Sequence, residues 1–215
     1  MIRIENLSKI YNNEKIFENF SLIIERGERI VLFAKSGSGK TTLLRMIAGL
    51  EACAAGRILL DDVLLTEEKK IIVPPEQRGI GMVFQDLALW PHLRVGENIT
   101  LALKVKGMRA KERQLALEMM LQKVGLEGFA DKKVYELSGG EQQRVALART
   151  LIVKPKIILM DEPLSSLDRE LALMLRAEIL QLQQEYGFTL LYVTHNKEEA
   201  EFLATRIIEL KGREK

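Results

Sequence analysis

Ile2, Ile4 and Leu7 alternate with polar residues at the start of the chain, the period-two pattern of a half-buried strand. Residues 16–25 (IFENFSLIIE) predict a second strand, Arg26-Gly27-Glu28 a turn, and the apolar run 30–33 a third strand. Links this short cannot make parallel crossovers, so an antiparallel sheet is expected at the start. Residues 43–50 predict a helix, and 57–65 (RILLDDVLL) a hairpin turning at Asp61-Asp62. Pro74-Pro75 breaks the chain, and 81–84 (GMVF) reads as a short buried strand with Gln85 and Asp86 at its C-terminal end. From residue 87 to 153 the pattern is mostly helical, over 87–103, 111–124 and 141–153. The apolar run 156–160 (KIILM) returns to a buried strand and ends in Asp161-Glu162-Pro163. A helix over 169–186 carries Leu171, Leu175, Ile179 and Leu182 on one face. A strand over 188–193 then ends in Thr194-His195, followed by a helix over 197–203 and a short strand over 206–210. Strands alternating with helices predict a parallel, helix-covered sheet in the second half. No internal repeat or low-complexity stretch interrupts the pattern.

Composition narrows the partners. The 215 residues are 47% hydrophobic and 29% charged, enough apolar material for a real core. A net charge of +2, with basic and acidic residues interleaved, gives no field for nucleic acid. The single cysteine, Cys53, excludes an intrachain disulfide and suits a reducing compartment. No stretch approaches the ~18 apolar residues of a spanning helix. The alternating N-terminus is not a signal peptide, so any membrane role is expected to come through a partner.

Three stretches carry chemistry. Residues 34–42 (AKSGSGKTT) follow a strand and open a helix. Gly37 and Gly39 let the backbone turn so that successive N–H groups face inward, and the helix N-terminus adds positive charge. Lys40 can reach terminal phosphates and the Thr41 hydroxyl can hold Mg²⁺. The pattern asks for Gly where Ala34 stands; the competing reading is a flexible turn before an ordinary helix. In IILMDE, Asp161 and Glu162 lie at a strand end, where ligands of open α/β sheets bind. Strand alternation would send them to opposite sides, Asp161 to orient Mg²⁺ through water and Glu162 to take a proton from an attacking water. In LSGGEQQR (137–144), Ser138 and Glu141 make a capping box, which leaves two glycines in the first turn unexplained. Bare N–H groups there form an anion site, so two copies are expected to cooperate on one nucleotide. Tyr11, in a polar loop, either stacks on a base or covers the end of a small sheet. His92 lacks neighbouring ligands for a metal, and Trp90 reads as a packing or contact residue.

Together these stretches resemble the nucleotide-binding subunit of an ATP-binding cassette transporter, over nearly the whole chain and in order. Residues 34–41 stand for the Walker A loop, Gln85 for the Q-loop glutamine and LSGGEQQR for the signature. IILMDE stands for Walker B, SSLD at 165–168 for the D-loop and His195 for the switch histidine. The implied fold is α/β, a P-loop NTPase core with a mainly parallel sheet, an N-terminal antiparallel β subdomain and a helical subdomain insert. One ATPase domain over 1–215 is expected, with 1–86 and 154–215 as the core and 87–153 as the insert. The resemblance implies that Tyr11 stacks on adenine, and that Ser36, Gly37, Ser38, Gly39, Lys40, Thr41 and Thr42 hold the phosphates. It puts Thr41, Gln85 and Asp161 at Mg²⁺, makes Glu162 the base and brings His195 to the γ-phosphate. Ser138, Gly139 and Gly140 would reach the nucleotide of the opposite subunit, with Asp168 at the seam.

MDEPLSSLD, THNKEEA and ALWPHLRVGENI are similar to bacterial importers of small solutes. The expected protein is then an ATP hydrolase, peripheral on the inner face of the cell membrane. Its expected partners are transmembrane permease subunits, a second ATPase subunit of the same or a paired kind, and an extracytoplasmic solute-binding protein. An exporter or lipid-handling ATPase, or a soluble cassette protein, is the alternative. Two departures stand out. Ala34 replaces a Gly, and Asn196 stands where importers usually have Asp. With Lys215 last, no C-terminal regulatory domain is expected.

Overall fold

The computed structural model describes residues 1–11, 14–34 and 37–210. Two compact units divide it. The first comprises Met1–Met82, Lys156–Asp161 and the chain from Gly187 onward; the second comprises Val83–Pro155 and Glu162–Tyr186.

The first unit holds two sheets. β1 (Ile2–Tyr11) and β2 (Glu14–Ile24) form an antiparallel hairpin, as their close spacing predicts. β4 (Ala55–Leu60) pairs with the other side of β1 and turns into β5 (Val63–Glu67) at Asp61-Asp62. Both turn residues have positive φ, 49° and 64°, as in the turns that match strand twist. β6 (Lys70–Ile71), two residues with no periodicity to read, completes this sheet in the order β2-β1-β4-β5-β6. The third strand, β3 (Arg29–Phe33), departs from the expectation of one early antiparallel sheet. It pairs in parallel with β9 (Thr189–Thr194) and with β10 (Arg206–Glu209). β8 (Ile157–Asp161) and β7 (Ile80–Val83) extend that second sheet, in the order β10-β3-β9-β8-β7. β8 and β9 are buried along their whole length, which is why they read as continuous apolar runs and not as alternating ones.

α1 (Lys40–Ala48) joins the sheets. Its Leu43, Leu44, Met46 and Ile47 share one buried cluster with Ile2, Ile4 and Leu7 of β1 and with Leu159, Leu191 and Val193. The C-terminus of α1 is closed by Arg78, whose guanidinium is buried. It donates to the carbonyls of Ile47 (2.8 Å), Met46 (3.2 Å), Val73 (2.8 Å) and Leu65 (3.1 Å), and to Thr66 Oγ1 (2.8 Å). A cation at the last turn complements the helix dipole. Burial pushes the Arg78 pKa down to about 10. Pro74 and Pro75, expected only as a break, lead into a short 3₁₀ turn over Pro75–Gln77 that delivers Arg78.

The second unit is helical: α2 (Val95–Val105), α3 (Ala110–Lys123), α4 (Gly139–Leu151) and α5 (Arg169–Tyr186). Arg144 of α4 pairs with Glu178 of α5. The helical reading from residue 87 starts too early, because Leu87 and Ala88 have positive φ, 59° and 44°. α6 (Lys197–Leu203), in the first unit, follows β9 as the sequence pattern predicts.

Replacing Arg78 by Met should lower stability by about 3 kcal/mol or more, since several buried carbonyls lose a charged donor. Lys should recover only part, because it lacks the planar fork. Urea denaturation midpoints of the two variants check this.

Candidate functional site

The parallel register aligns three strand ends. Phe33 of β3 lies opposite Thr194 of β9, and Asp161 of β8 opposite Val193. The residues that follow therefore leave the sheet at one edge: Ala34 with the phosphate loop, Glu162, and His195. This is the edge where open parallel sheets bind ligands.

Ala34 is buried in the core cluster and is not among the left-handed residues, so a methyl side chain fits where the pattern asks for Gly. Its N–H donates to the Thr194 carbonyl (3.4 Å), and its carbonyl accepts from Lys40 Nζ (2.5 Å). Lys35 and Ser36 lie outside the described residues. Gly37 and Gly39 have φ of 81° and 88°. At Gly39 a Cβ would come within 2.3 Å of Ile16 Cγ2 and 3.1 Å of the Phe17 ring. Lys40, Thr41 and Thr42 form the first turn of α1, whose N-cap makes no side-chain bond. The first N–H groups of α1 thus have no side-chain cap and suit an anion.

A triphosphate with Mg²⁺ fits this loop. Among the described residues, a Cβ at Gly37 would meet no atom within 4 Å, and the buried Ser38 Oγ has no partner. Among the described residues no group of three or more His, Cys, Asp or Glu could hold a metal. A hard divalent ion would draw on the Thr41 hydroxyl, a carboxylate and phosphate oxygens, as Mg²⁺ commonly does.

Asp161 is buried at the end of β8, but Glu162 is not the next strand residue. Its φ is 43°, so the backbone turns left-handed there and the strand alternation expected of Asp161 and Glu162 does not extend to Glu162. Ser165 holds that turn: its N–H (3.2 Å) and its hydroxyl (2.9 Å) both donate to the Glu162 carbonyl. Strain of this kind clusters at functional positions. Asp168 Oδ1 accepts from the Leu171 N–H (3.0 Å), capping α5.

His195 is exposed. Asn196, the departure beside it, caps α6 by accepting from the Glu199 N–H (3.3 Å). Asn caps a helix as well as Asp does. Tyr11 ends β1 with 61% of its surface exposed, opposite Glu14; Asn12 and Asn13 lie outside the described residues.

In the second unit the capping box of LSGGEQQR forms. Ser138 Oγ accepts from the Glu141 N–H (3.4 Å) and donates to Glu141 Oε2 (2.8 Å). The Ser138 bonds hold the Glu141 carboxyl below its usual range. Gly140 has a packing reason that the sequence pattern hides: a Cβ there would lie 2.8 Å from Leu171 Cδ2. Gly139 and Ser138 are exposed. Gln85 is exposed too, and the chain just beyond it is clamped by Arg149 of α4. The Arg149 guanidinium donates to the Leu87 and Ala88 carbonyls (2.6 Å each) and lies 5.2 Å from the Trp90 ring. Burial lowers the Arg149 pKa, opposed by the nearby Asp86. Buried Asn98 fixes the same loop through the Trp90 N–H (2.9 Å) and carbonyl (3.1 Å).

Residues 17–165 match the ABC transporter family. The chain belongs to the ABC transporter family. Among similar proteins is the Fe(3+) ions import ATP-binding protein FbpC of Photorhabdus laumondii, 45% identical over 93% of this chain and 55% of the relative. The maltose/maltodextrin import ATP-binding protein MalK of the same organism is 41% identical over 98% and 56%. The spermidine/putrescine import ATP-binding protein PotA of Aliivibrio fischeri is 42% identical over 97% and 55%. The chain spans about half the length of these curated relatives. A solved ATP-binding cassette, MJ0796, in a dimeric post-hydrolysis state bound to ADP and Pi, superposes with a TM-score of 0.86. It is 35% identical over 98% of this chain and 94% of that one. Both sheets and the six helices of the described residues thus form an ABC cassette fold, with the phosphate-loop, IILMDE and LSGGEQQR stretches inside it.

Sequence reading quoted Ser165 and Glu199 only as members of SSLD and THNKEEA, with no role for either, and did not single out Arg149. Only Glu199 left a trace, as the fourth residue of an Asn-x-x-Glu cap pattern.

Gly39→Ala should abolish ATP binding or cost more than about 1 kcal/mol of stability, because φ is left-handed and Ile16 blocks the methyl. Ala34→Gly should leave the ATP Kd within about twofold, because Ala34 needs no special backbone. Equilibrium binding of a fluorescent ATP analogue measures both.

Proposed function

We propose that this chain is the ATP-hydrolysing subunit of a bacterial importer of a small solute, working as a head-to-tail pair with two ATPs between the copies. The observation that carries this reading is the sheet edge where the phosphate loop, Asp161-Glu162 and His195 emerge together. The relatives named as import ATP-binding proteins support the importer class, and the dimeric MJ0796 state bound to ADP and Pi supports pairing and turnover.

In this reading Tyr11 stacks on adenine, and Ser36 to Thr42 hold the phosphates through N–H groups, hydroxyls and Lys40. Lys40 already points its ammonium to the mouth of the loop, at the Ala34 carbonyl. Thr41, Gln85 and Asp161 would hold Mg²⁺, which when bound would offset charge on the phosphate oxygens. Glu162 accepts the proton of the attacking water at its carboxylate. His195 orients the γ-phosphate, and Ser138, Gly139 and Gly140 of one copy close on the nucleotide of the other, with Asp168 at the seam. Gln85 reports nucleotide state to transmembrane permease subunits, which a solute-binding protein supplies from outside. No helix among the described residues is long and apolar enough to cross a membrane; in this reading the chain sits on the inner membrane face against those permeases. The named cargo differs among the three relatives, iron, maltose and spermidine, while the cassette stays 41–45% identical. In this reading cargo choice belongs to the membrane subunits and the solute-binding protein.

Glu162→Gln should lower steady-state hydrolysis by at least about a hundredfold, the scale of a lost general base, with ATP Kd unchanged. A phosphate-release assay beside a binding titration measures this, and undiminished turnover overturns the mechanism.

A further inference from the structure

Glu199 is a buried carboxylate, 4% exposed, that the mechanism above does not use. Its spacing from Asn196 is that of a capping box, in which the glutamate would reach back to the Asn196 N–H. Only half of that box forms. Asn196 Oδ1 accepts from the Glu199 N–H (3.3 Å), but the Asn196 N–H goes to Thr194 Oγ1 (3.0 Å). The carboxylate turns instead to the strand, where Glu199 Oε2 accepts from Thr194 Oγ1 (2.8 Å) and from the fully buried Tyr192 Oη (3.0 Å). The Thr194 hydroxyl is thus used in both directions, and the residues on either side of His195 are tied to one buried oxygen. The Thr194 carbonyl accepts from the Ala34 N–H (3.4 Å), and the Ala34 carbonyl holds Lys40 Nζ.

Cores of the same shape built from apolar residues are commonly as stable or more so, which leaves a buried carboxylate network weakly explained by stability. Exposed His195 follows the last residue of β9 and gains its backbone direction from its two neighbours. We propose that Glu199 is a positioning residue. Through the Thr194 hydroxyl it fixes the backbone that aims His195. The inference rests on the reading that His195 meets the γ-phosphate.

The test is steady-state and single-turnover hydrolysis of MgATP by the whole chain, with ATP binding measured beside it. Thr194→Val removes the hydroxyl at constant shape and should lower kcat about tenfold with KM for ATP within about twofold. Thr194→Ser should restore kcat to within about twofold of the parent. Glu199→Gln keeps size and one acceptor oxygen; it should lower kcat by a smaller factor at unchanged KM. In a His195→Ala background, Thr194→Val should add no further loss, because it acts through His195. Parental kcat in Thr194→Val, or in Glu199→Gln should the valine variant not fold, overturns the inference. So does an equal loss in both His195 backgrounds, or no rescue by Ser. Parental turnover of His195→Ala alone removes the role of His195, a result separable from failure of the Glu199 network.

Discussion

Parallel pairing of β3, β8 and β9 is the constraint on which the site depends. Parallel strands run the same way, so the chain must return after each one, and the segments that follow all start at one edge. The register sets how closely. Phe33 opposite Thr194, and Asp161 opposite Val193, bring three segments with different chemistry out within a residue of the same level. An antiparallel arrangement would scatter them to both edges. Because β8 and β9 are buried throughout, the edge is held by the core and not by the loops themselves.

From that edge each candidate site position is braced by a near neighbour in sequence. Ser165 holds the carbonyl of Glu162, Thr194 joins the Glu199 side chain to the Asn196 backbone, and Lys40 reaches Ala34. Short-range bonds of this kind add little loop-closure entropy. They let the active segments keep exact backbone directions even though Gln85, His195 and Ser138 are themselves exposed. Arg149 is the longer-range counterpart, since it holds two consecutive left-handed residues from a helix more than sixty positions away in the chain. A left-handed non-glycine residue costs about 1–2 kcal/mol, so such a pair needs a strong charged donor to persist.

Elements with a full period were legible. The helix over 169–186 and the helix over 197–203 were read at their true bounds, because an amphipathic face or an Asn cap marks them. The hairpin at Asp61-Asp62 announced itself by turn chemistry. Which sheet β3 joins was not legible, since a short apolar run carries no information about its partner. β6 is too short to have a period. The left-handed backbone at Leu87, Ala88 and Glu162 was hidden because these residue types rarely adopt it. No sequence pattern singles out Arg78, and only the converging carbonyls explain its burial. The candidate site was visible as motifs, but not its bracing, because hydroxyl-to-carbonyl bonds leave no spacing signature.

The backbone of Glu162 also bears on how this protein can change under selection. Asn tolerates a φ near +43° better than Glu does, and it can bond its own backbone there. A search for heat resistance alone would therefore favour exchanging Glu162, and each such gain would remove the carboxylate. If Glu162 is the proposed base, stability and turnover are opposed at this residue, and improvements in robustness that spare the chemistry have to come from elsewhere in the chain.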